Sequence, residues 1–208
     1  MKKRKSSPLL LLISAPSGGG KTTLVRQLLR ARRNMVRAIT CTTRPARPGE
    51  KNGVDYYFLK PADFLRRVQA GNFLEHATVY LNSYGLLKSE LLGKLRAGKD
   101  VLLNVDVQGA ASIRKAAQAE PELKHALVSV FLTPTSVAEI ERRLKKRGAD
   151  SQAEIRRRVA AAKHEIAQWK NFDYLLISGT KQEDLRLALA IIEAEKMKVG
   201  RAAAPVTQ

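Results

Sequence analysis

The sequence is poor in cysteine, aromatic residues and acidic residues, and each shortage narrows what the protein can be. A single cysteine, Cys41, permits no internal disulfide and fits a reducing compartment. Aromatic residues make up 5% of a chain that is 44% apolar, so aliphatic side chains must fill the core. No apolar run approaches the roughly 20 residues that span a bilayer, and no signal-peptide pattern follows the basic start. We therefore expect a cytoplasmic protein without a membrane partner.

Acidic residues are outnumbered two to one, since 38 lysines and arginines face 19 aspartates and glutamates. The formal net charge of +19 predicts attraction to nucleotides, nucleic acid or acidic surfaces. Basic side chains spread over a solvated surface would explain the same excess. The sequence contains no recognisable nucleic-acid motif and no aromatic stacking platform. We expect no specific nucleic-acid partner, but incidental binding to polyanions.

Short apolar runs recur along the 208 residues and indicate the buried strands of an α/β protein. The runs at 8–14, 101–106, 127–132 and 174–177 alternate with segments of helical spacing. Such alternation favours a single domain with a three-layer core, in which helices cover both faces of a parallel sheet.

Two arginine-rich segments, 38–89 and 134–170, interrupt the alternation and are the natural places for substrate-binding insertions. The core would then comprise about 1–37, 90–133 and 171–199. The small, polar and unpatterned stretch at about 200–208 is expected to be a disordered tail.

The strongest motif lies between the first predicted strand and the helix after it, and reads Ala15-Pro16-Ser17-Gly18-Gly19-Gly20-Lys21-Thr22. This is the context of a Walker A phosphate-binding loop (P-loop), although Ala15 stands where the strict pattern has glycine. Glycines let backbone N–H groups surround phosphate oxygens, and the helix adds its positive end. Lys21 can reach the β and γ phosphates, and Thr22 can offer its hydroxyl to Mg²⁺. We therefore predict that ATP is bound by Ser17, Gly18, Gly19, Gly20, Lys21, Thr22 and Thr23, and that Thr22 is also a ligand of Mg²⁺.

Asp106 ends the second apolar run, as a Walker B carboxylate does. A carboxylate at that position helps to hold Mg²⁺. An aspartate at a strand end is also a common turn residue, so both interpretations stay open.

A second basic motif follows at residues 40–56, where Arg44, Arg47 and Tyr56 lie on a segment stiffened by prolines. Arginine binds phosphate through a planar fork of donors, so this loop suits a fixed dianion such as a monophosphate. A basic surface loop would have the same composition, and the residue types alone do not separate the two.

At this point the sequence resembles the guanylate kinase family, from about residue 10 to about residue 192. The motifs that carry the resemblance are SAPSGGGKTTL, TTRPARPGEKNGVDYYF, FLEHA, SYG, VDVQGA and RRLKKRGADS. The resemblance implies a P-loop core with a GMP-binding insertion at about 38–89 and a helical lid at about 134–170. It also implies transfer of a phosphoryl group from ATP to GMP, with dGMP accepted too.

The resemblance assigns roles to individual residues. It implies that the GMP phosphate is held by Arg44, Arg47, Tyr56 and Tyr84. It implies that Glu75 and Thr40 read guanine, where a carboxylate can accept hydrogen bonds from both N1–H and the exocyclic amine. Asn104 and Asp106 would lie near the acceptor and the metal. Lys21 and Arg44 would act in catalysis together with three lid arginines: Arg143, Arg147 and Arg158.

Three positions depart from the family pattern. Asn104 stands where aspartate is usual and removes a negative charge. Leu86 replaces a serine or threonine, so one hydroxyl contact near guanine is missing. Ser178-Gly179 stands where many members have asparagine and aspartate near the adenine pocket.

Three other functions stay open at this stage. They are a kinase for a different nucleoside monophosphate, a non-catalytic guanylate-kinase-like interaction module, and a nucleic-acid-binding P-loop protein. The oligomeric state is open between monomer and homodimer.

Overall fold

A five-stranded parallel sheet forms the centre of the structure, a computed structural model that describes residues 6–79, 81–148 and 151–202. Along these residues the strands are β1 (Leu10–Ser14), β2 (Met35–Arg37), β3 (Cys41–Thr42), β4 (Tyr57–Phe58), β5 (Phe73–Val79), β6 (Asn82–Leu87), β7 (Asp100–Asn104), β8 (Leu127–Thr133) and β9 (Tyr174–Ile177). The helices are α1 (Lys21–Ala31), α2 (Pro61–Gln69), α3 (Lys88–Arg96), α4 (Val107–Ala117), α5 (Pro121–Ala126), α6 (Val137–Arg147), α7 (Gln152–Ile166) and α8 (Lys181–Met197), and a short 3₁₀ helix spans Ala167–Asn171.

The central sheet has the strand order β2-β7-β1-β8-β9, and every pairing in it is parallel. Strand β1 alternates between the two faces, because successive side chains of a strand point in opposite directions. Leu11 and Ile13 join a cluster with α1 and α8, whereas Leu10 and Leu12 join one with α3, α4 and α5. This arrangement confirms the three-layer α/β core that the apolar runs predicted.

The segment of chain between β2 and α3 forms a second, smaller sheet with the strand order β4-β3-β6-β5. It has its own core around Cys41, Phe64 and Phe73. Leu74 and Leu86 point elsewhere, because they join the cluster under α3, α4 and α5. The second sheet is therefore attached to the central domain through buried leucines of β5 and β6.

Helices α6 and α7 pack against each other around a separate apolar cluster that includes Ile140, Leu144 and Ile155. Each helix begins at a serine whose hydroxyl accepts the N–H of the residue three positions later. Gly148 ends α6 in the left-handed conformation, which favours glycine. This helix pair packs against the loop between β1 and α1.

The described chain ends in contact with the domain. We predicted a disordered tail from about residue 200, whereas Arg201 forms an ion pair with Glu195 and donates a hydrogen bond to the carbonyl of His125 at 2.7 Å. The carbonyl of Arg201 also accepts the N–H of Ser7 at 2.9 Å. The rest of the predicted tail, 203–208, lies outside the described residues.

Candidate active site

The loop between β1 and α1 folds around glycines that no other residue could easily replace. Gly18 and Gly20 have φ angles of 81° and 100°, in the left-handed region. A Cβ atom on Gly18 would also lie 3.2 Å from Leu144 of α6. The two glycines therefore let the loop curl back on α1 while α6 approaches it closely.

This loop forms the floor of an open cavity of about 540 Å³. Its lining combines the loop with side chains from α1, the end of β7, α6 and α7. The predicted site residues on it are Ser17, Gly18, Gly19, Gly20, Lys21, Thr22, Thr23, Asp106, Arg143 and Arg158. The fold thus gathers predicted site residues that are up to 141 positions apart into one cleft.

Lys21 is held at the carboxyl end of β7, where its ammonium donates a hydrogen bond to the carbonyl oxygen of Val105 at 2.7 Å. Burial lowers the pKa of Lys21, while the negative charges of Asp106 and Glu165 act in the opposite direction. A lysine fixed in this way presents its charge to the cavity in one defined direction.

Asp106 serves as the N-cap of α4, since its Oδ1 accepts the N–H of Gly109 at 2.7 Å. Asp106 and Thr22 both line the cavity. The structural interpretation of Asp106 is therefore confirmed, and its role as a metal ligand stays a prediction. A threonine hydroxyl and a carboxylate are oxygen donors, so this pair fits a hard divalent cation.

The helix pair α6–α7 contributes two arginines to the cavity. Arg158 donates from Nε to Ser17 Oγ at 2.8 Å. Arg143 donates from Nε to Glu139 at 2.8 Å and from Nη1 to Ser178 Oγ at 3.1 Å. The third predicted lid arginine, Arg147, is the last residue of α6, and its side chain lies outside the described part of the structure.

A second group of side chains forms around Glu50, on the segment that connects β3 and β4 of the smaller sheet. Arg44 Nη2 lies 2.8 Å from Glu50 Oε1, and the guanidinium carbon is 5.5 Å from the ring centre of Tyr56. Hydrogen bonding to Glu50, with a smaller contribution from Tyr84, raises the pKa of Arg44. Tyr56 and Tyr84 contact each other edge to face. Three of the four predicted phosphate ligands thus meet in one place.

The fourth predicted phosphate ligand, Arg47, contributes only its backbone to this group. Its N–H donates to Glu50 Oε2 at 2.7 Å, while the residue itself is exposed. Glu50, which organises both arginines, has its pKa lowered mainly by the hydrogen bond from Arg44.

The remaining predicted acceptor residues are Glu75, Thr40 and Asn104. Glu75 lies half-buried on β5, and burial together with the charge of Asp106 raises its pKa. Thr40 precedes β3, and its carbonyl accepts the N–H of Tyr57 at 2.9 Å. Asn104 ends β7 with its side chain exposed. Of these three predicted residues, only Glu75 has a charge that interacts with the carboxylate of Asp106 in the phosphate cavity.

The match to known proteins agrees with this geometry. A family model described as Guanylate kinase matches residues 7–194. The chain belongs to the guanylate kinase family. The guanylate kinase of Coxiella burnetii is 43% identical to it over 178 residues, covering 86% of this chain and 83% of that protein. The guanylate kinase of Thermotoga maritima is 36% identical over 182 residues, covering 87% and 84%.

A solved structure is similar as well. The crystal structure of guanylate kinase from Anaplasma phagocytophilum has a TM-score of 0.69 and 32% sequence identity, covering 95% of this chain and 90% of that one. The resemblance seen in the sequence motifs is thereby confirmed.

At two of the positions that depart from the guanylate kinase pattern, the residues present make defined contacts within the fold. Ser178 is buried, and its Oγ accepts from Arg143 and donates to Asp184 Oδ2 at 2.9 Å. Gly179 donates its N–H to the other oxygen of Asp184, also at 2.9 Å. Leu86 is fully buried and lies opposite Glu75 in the β5–β6 pair. The serine links α8 to Arg143 of α6, and the leucine is a packing residue.

Sequence reasoning missed three residues of the site: Glu50, Arg26 and Glu165. Arg26 and Glu165 line the phosphate cavity. Glu165 lies two helical turns after Arg158, so the two share one face of α7, and that spacing could have identified it. Glu50 could be recognised only once the loop had folded back on Arg44.

Proposed function

We propose that this chain transfers the γ-phosphoryl group of ATP to GMP, giving ADP and GDP, and that it accepts dGMP as well. The observation that supports the proposal best is the cavity on the phosphate loop, whose lining brings Lys21, Thr22 and Asp106 together with Arg143 and Arg158. Glu75, the residue we propose for guanine recognition, lies half-buried on β5, where burial and the charge of Asp106 raise its pKa. Membership of the guanylate kinase family points to the same reaction.

The loop N–H groups and Lys21 bind the ATP phosphates, and the GMP phosphate is itself the nucleophile. The chemistry then depends on positioning and charge stabilisation, with no general base or covalent intermediate from the protein. Arg143 and Arg158 reach the cavity from the lid and neutralise charge on the transferring group. Arg147 is proposed for the same role from its sequence position.

The acceptor side is assigned in the same way. Arg44, Tyr56 and Tyr84 hold the GMP phosphate, and Arg47 joins them when its side chain turns inward. Glu75 accepts the two guanine donors, and Thr40 adds a contact to the base. Adenine has an acceptor at N1 and would leave the carboxylate poorly paired, which weakens its binding. Asn104 lies beside Asp106 at the end of β7 and contributes a neutral amide.

We propose Mg²⁺ as the metal that accompanies ATP. The Thr22 hydroxyl and the Asp106 carboxylate would hold it, and it would supply positive charge to the phosphate oxygens. We also propose that 38–89 acts as the GMP-binding insertion and 134–170 as the lid, which together exclude water and limit wasteful hydrolysis of ATP.

The alternatives that the sequence left open are not favoured by the family relationship. Among the described residues no helix is long and apolar enough to cross a membrane. Cytoplasmic location, the oligomeric state and incidental polyanion binding stay predictions.

The proposal is tested by measuring ADP formation from MgATP with GMP, AMP, UMP or dTMP as acceptor. We expect strong turnover with GMP and its loss in Lys21→Ala. Preference for another monophosphate would place the error at Glu75 and its surroundings. A folded protein that turns over none of the acceptors would overturn the proposal.

A further inference from the structure

Glu90 is an almost fully buried carboxylate that none of the roles above uses. It lies in the first turn of α3, three residues after the end of β6. Its side chain is only 7% exposed. A charged group is seldom buried to this extent unless several donors satisfy it.

The donors that satisfy Glu90 come from both sides of the junction between the core and the smaller sheet. Its Oε1 accepts the backbone N–H of Ile39 at 2.8 Å, and its Oε2 accepts the hydroxyl of Tyr57 at 3.1 Å. Lys94, one turn along α3, forms an ion pair with Glu90 and donates to the carbonyl of Arg37 at 2.8 Å. One core helix therefore holds the strand that enters the insertion and also strand β4 within it.

These two contacts enclose Thr40. Ile39 precedes Thr40 in the chain, and the backbone N–H of Tyr57 donates to the Thr40 carbonyl at 2.9 Å. Cys41, which follows Thr40, is paired with Tyr57 in the β3–β4 register. A shift of the Glu90 carboxylate would therefore be transmitted to Thr40 from both neighbours.

Packing alone does not fix this junction, because a cavity of about 290 Å³ opens beside it. Cys41, Arg67 and Glu90 are among its lining residues. The hydrogen bonds of Glu90 cross a region where apolar contact is incomplete, so they contribute strongly to the orientation of the segment.

We propose that Glu90 is a positioning residue for the acceptor, which fixes Thr40 and the GMP-binding insertion relative to the phosphate loop. The proposal rests on the function proposed above. Glu90 acts through Ile39 and Tyr57, so its loss weakens GMP binding and leaves the ATP side unchanged.

The test compares Glu90→Gln with wild type in steady-state kinetics, with each substrate varied in turn. Glutamine keeps the size of the side chain, but its amide nitrogen must face one of the donors. We expect KM for GMP to rise by about tenfold, equivalent to ~1.4 kcal/mol, with KM for ATP within about twofold of wild type. Tyr57→Phe should give a smaller increase, and the double variant should equal Glu90→Gln because the two act through one contact.

Glu122→Gln is the matched control, since Glu122 forms a partly exposed ion pair with Arg96 at 3.0 Å on the first turn of another helix. It should leave both KM values unchanged. A second readout needs no turnover: hydrogen exchange at the Ile39 amide should become faster in Glu90→Gln and stay slow in Glu122→Gln.

The outcomes separate the two proposals. A wild-type protein that does not phosphorylate GMP contradicts the proposed function, and faster Ile39 exchange would still support the structural role of Glu90. Equal increases in both KM values would overturn the positioning role. A lowered melting temperature with wild-type KM values would overturn it as well.

Discussion

The carboxylate of Glu165 accepts a hydrogen bond from the backbone N–H of Ser17 at 3.0 Å, so an acidic side chain of α7 contacts the phosphate loop itself. The hydroxyl of the same serine accepts a hydrogen bond from Arg158 at 2.8 Å. One loop residue is therefore bound by both an acidic and a basic side chain of α7. A loop N–H that faces a carboxylate is a donor that a phosphate oxygen can also use.

We predict that Glu165→Gln lowers KM for ATP by about two- to fivefold, because the change removes a negative charge from the phosphate cavity. Steady-state kinetics with ATP varied at saturating GMP measures this effect. Glu154→Gln is the control, since Glu154 lies on the same helix but pairs with Arg157 on its exposed side. An increase in KM for ATP in Glu165→Gln would show that the carboxylate assists binding.

The raised pKa of Glu75 predicts a pH-dependent preference for GMP. Only the ionised carboxylate can accept two guanine donors, so kcat/KM for GMP should increase as pH rises through this pKa. The change should occur at a higher pH than for an ordinary glutamate. The GMP phosphate also titrates in this pH range. Glu75→Gln serves as the reference, because the phosphate still titrates in this variant and residue 75 does not.

The wild-type to Glu75→Gln ratio of kcat/KM should therefore grow with pH and level off once Glu75 is ionised. At the plateau we expect about 10- to 100-fold, since hydrogen bonds to a charged group contribute about 1.5–3 kcal/mol. A ratio that stays constant across the pH range would contradict an ionised Glu75 as the guanine acceptor.

Because Leu86 is buried, replacing it with serine, a residue type that is usual at this position in the family, should destabilise the fold. Its side chain is fully buried under α3, so Leu86→Ser leaves a cavity and a buried hydroxyl. We expect the free energy of unfolding to fall by about 2–4 kcal/mol in urea titrations. Leu81→Ser, at a position that is 96% exposed, should change it by less than about 0.5 kcal/mol. Equal effects of the two changes would refute the packing role.

The contacts of Ser178 predict that replacing it lowers both the stability of the fold and the activity that depends on Arg143 of α6. Ser178→Ala removes one partner of the buried Asp184 and one anchor of Arg143. We expect a lower free energy of unfolding, by about 1–3 kcal/mol, together with a lower kcat. Ser136→Ala, which removes the N-cap of α6 but leaves this network intact, should lower stability with a smaller effect on kcat. A wild-type kcat in Ser178→Ala would show that Arg143 needs no such anchor.

The sequence predicted the parts of this site that depend on local order. The phosphate loop could be recognised because a strand, three glycines and a helix follow one another directly between Leu10 and Ala31. The contact between Tyr84 and Arg44 depends on β6 pairing with β3, which only the family resemblance implied.

Other features could not be predicted because they depend on packing between distant elements. Leu86 was interpreted as a lost contact, yet its burial is set by helices that meet β6 across the junction. Glu90 was an unremarkable charge on a helix until the fold brought Ile39 within hydrogen-bonding distance. The spacing that places Glu165 on the same face as Arg158 does not reveal its contact with Ser17. A carboxylate's partner far away in the chain cannot be deduced from helical spacing.

Phosphoryl transfer to GMP is tested most directly with γ-labelled ATP and identification of the labelled product. We predict that the label appears in GDP when GMP is present, and that Lys21→Ala abolishes this product. Label that appears only in inorganic phosphate, or in another nucleoside diphosphate when GMP competes with other acceptors, would contradict the assignment.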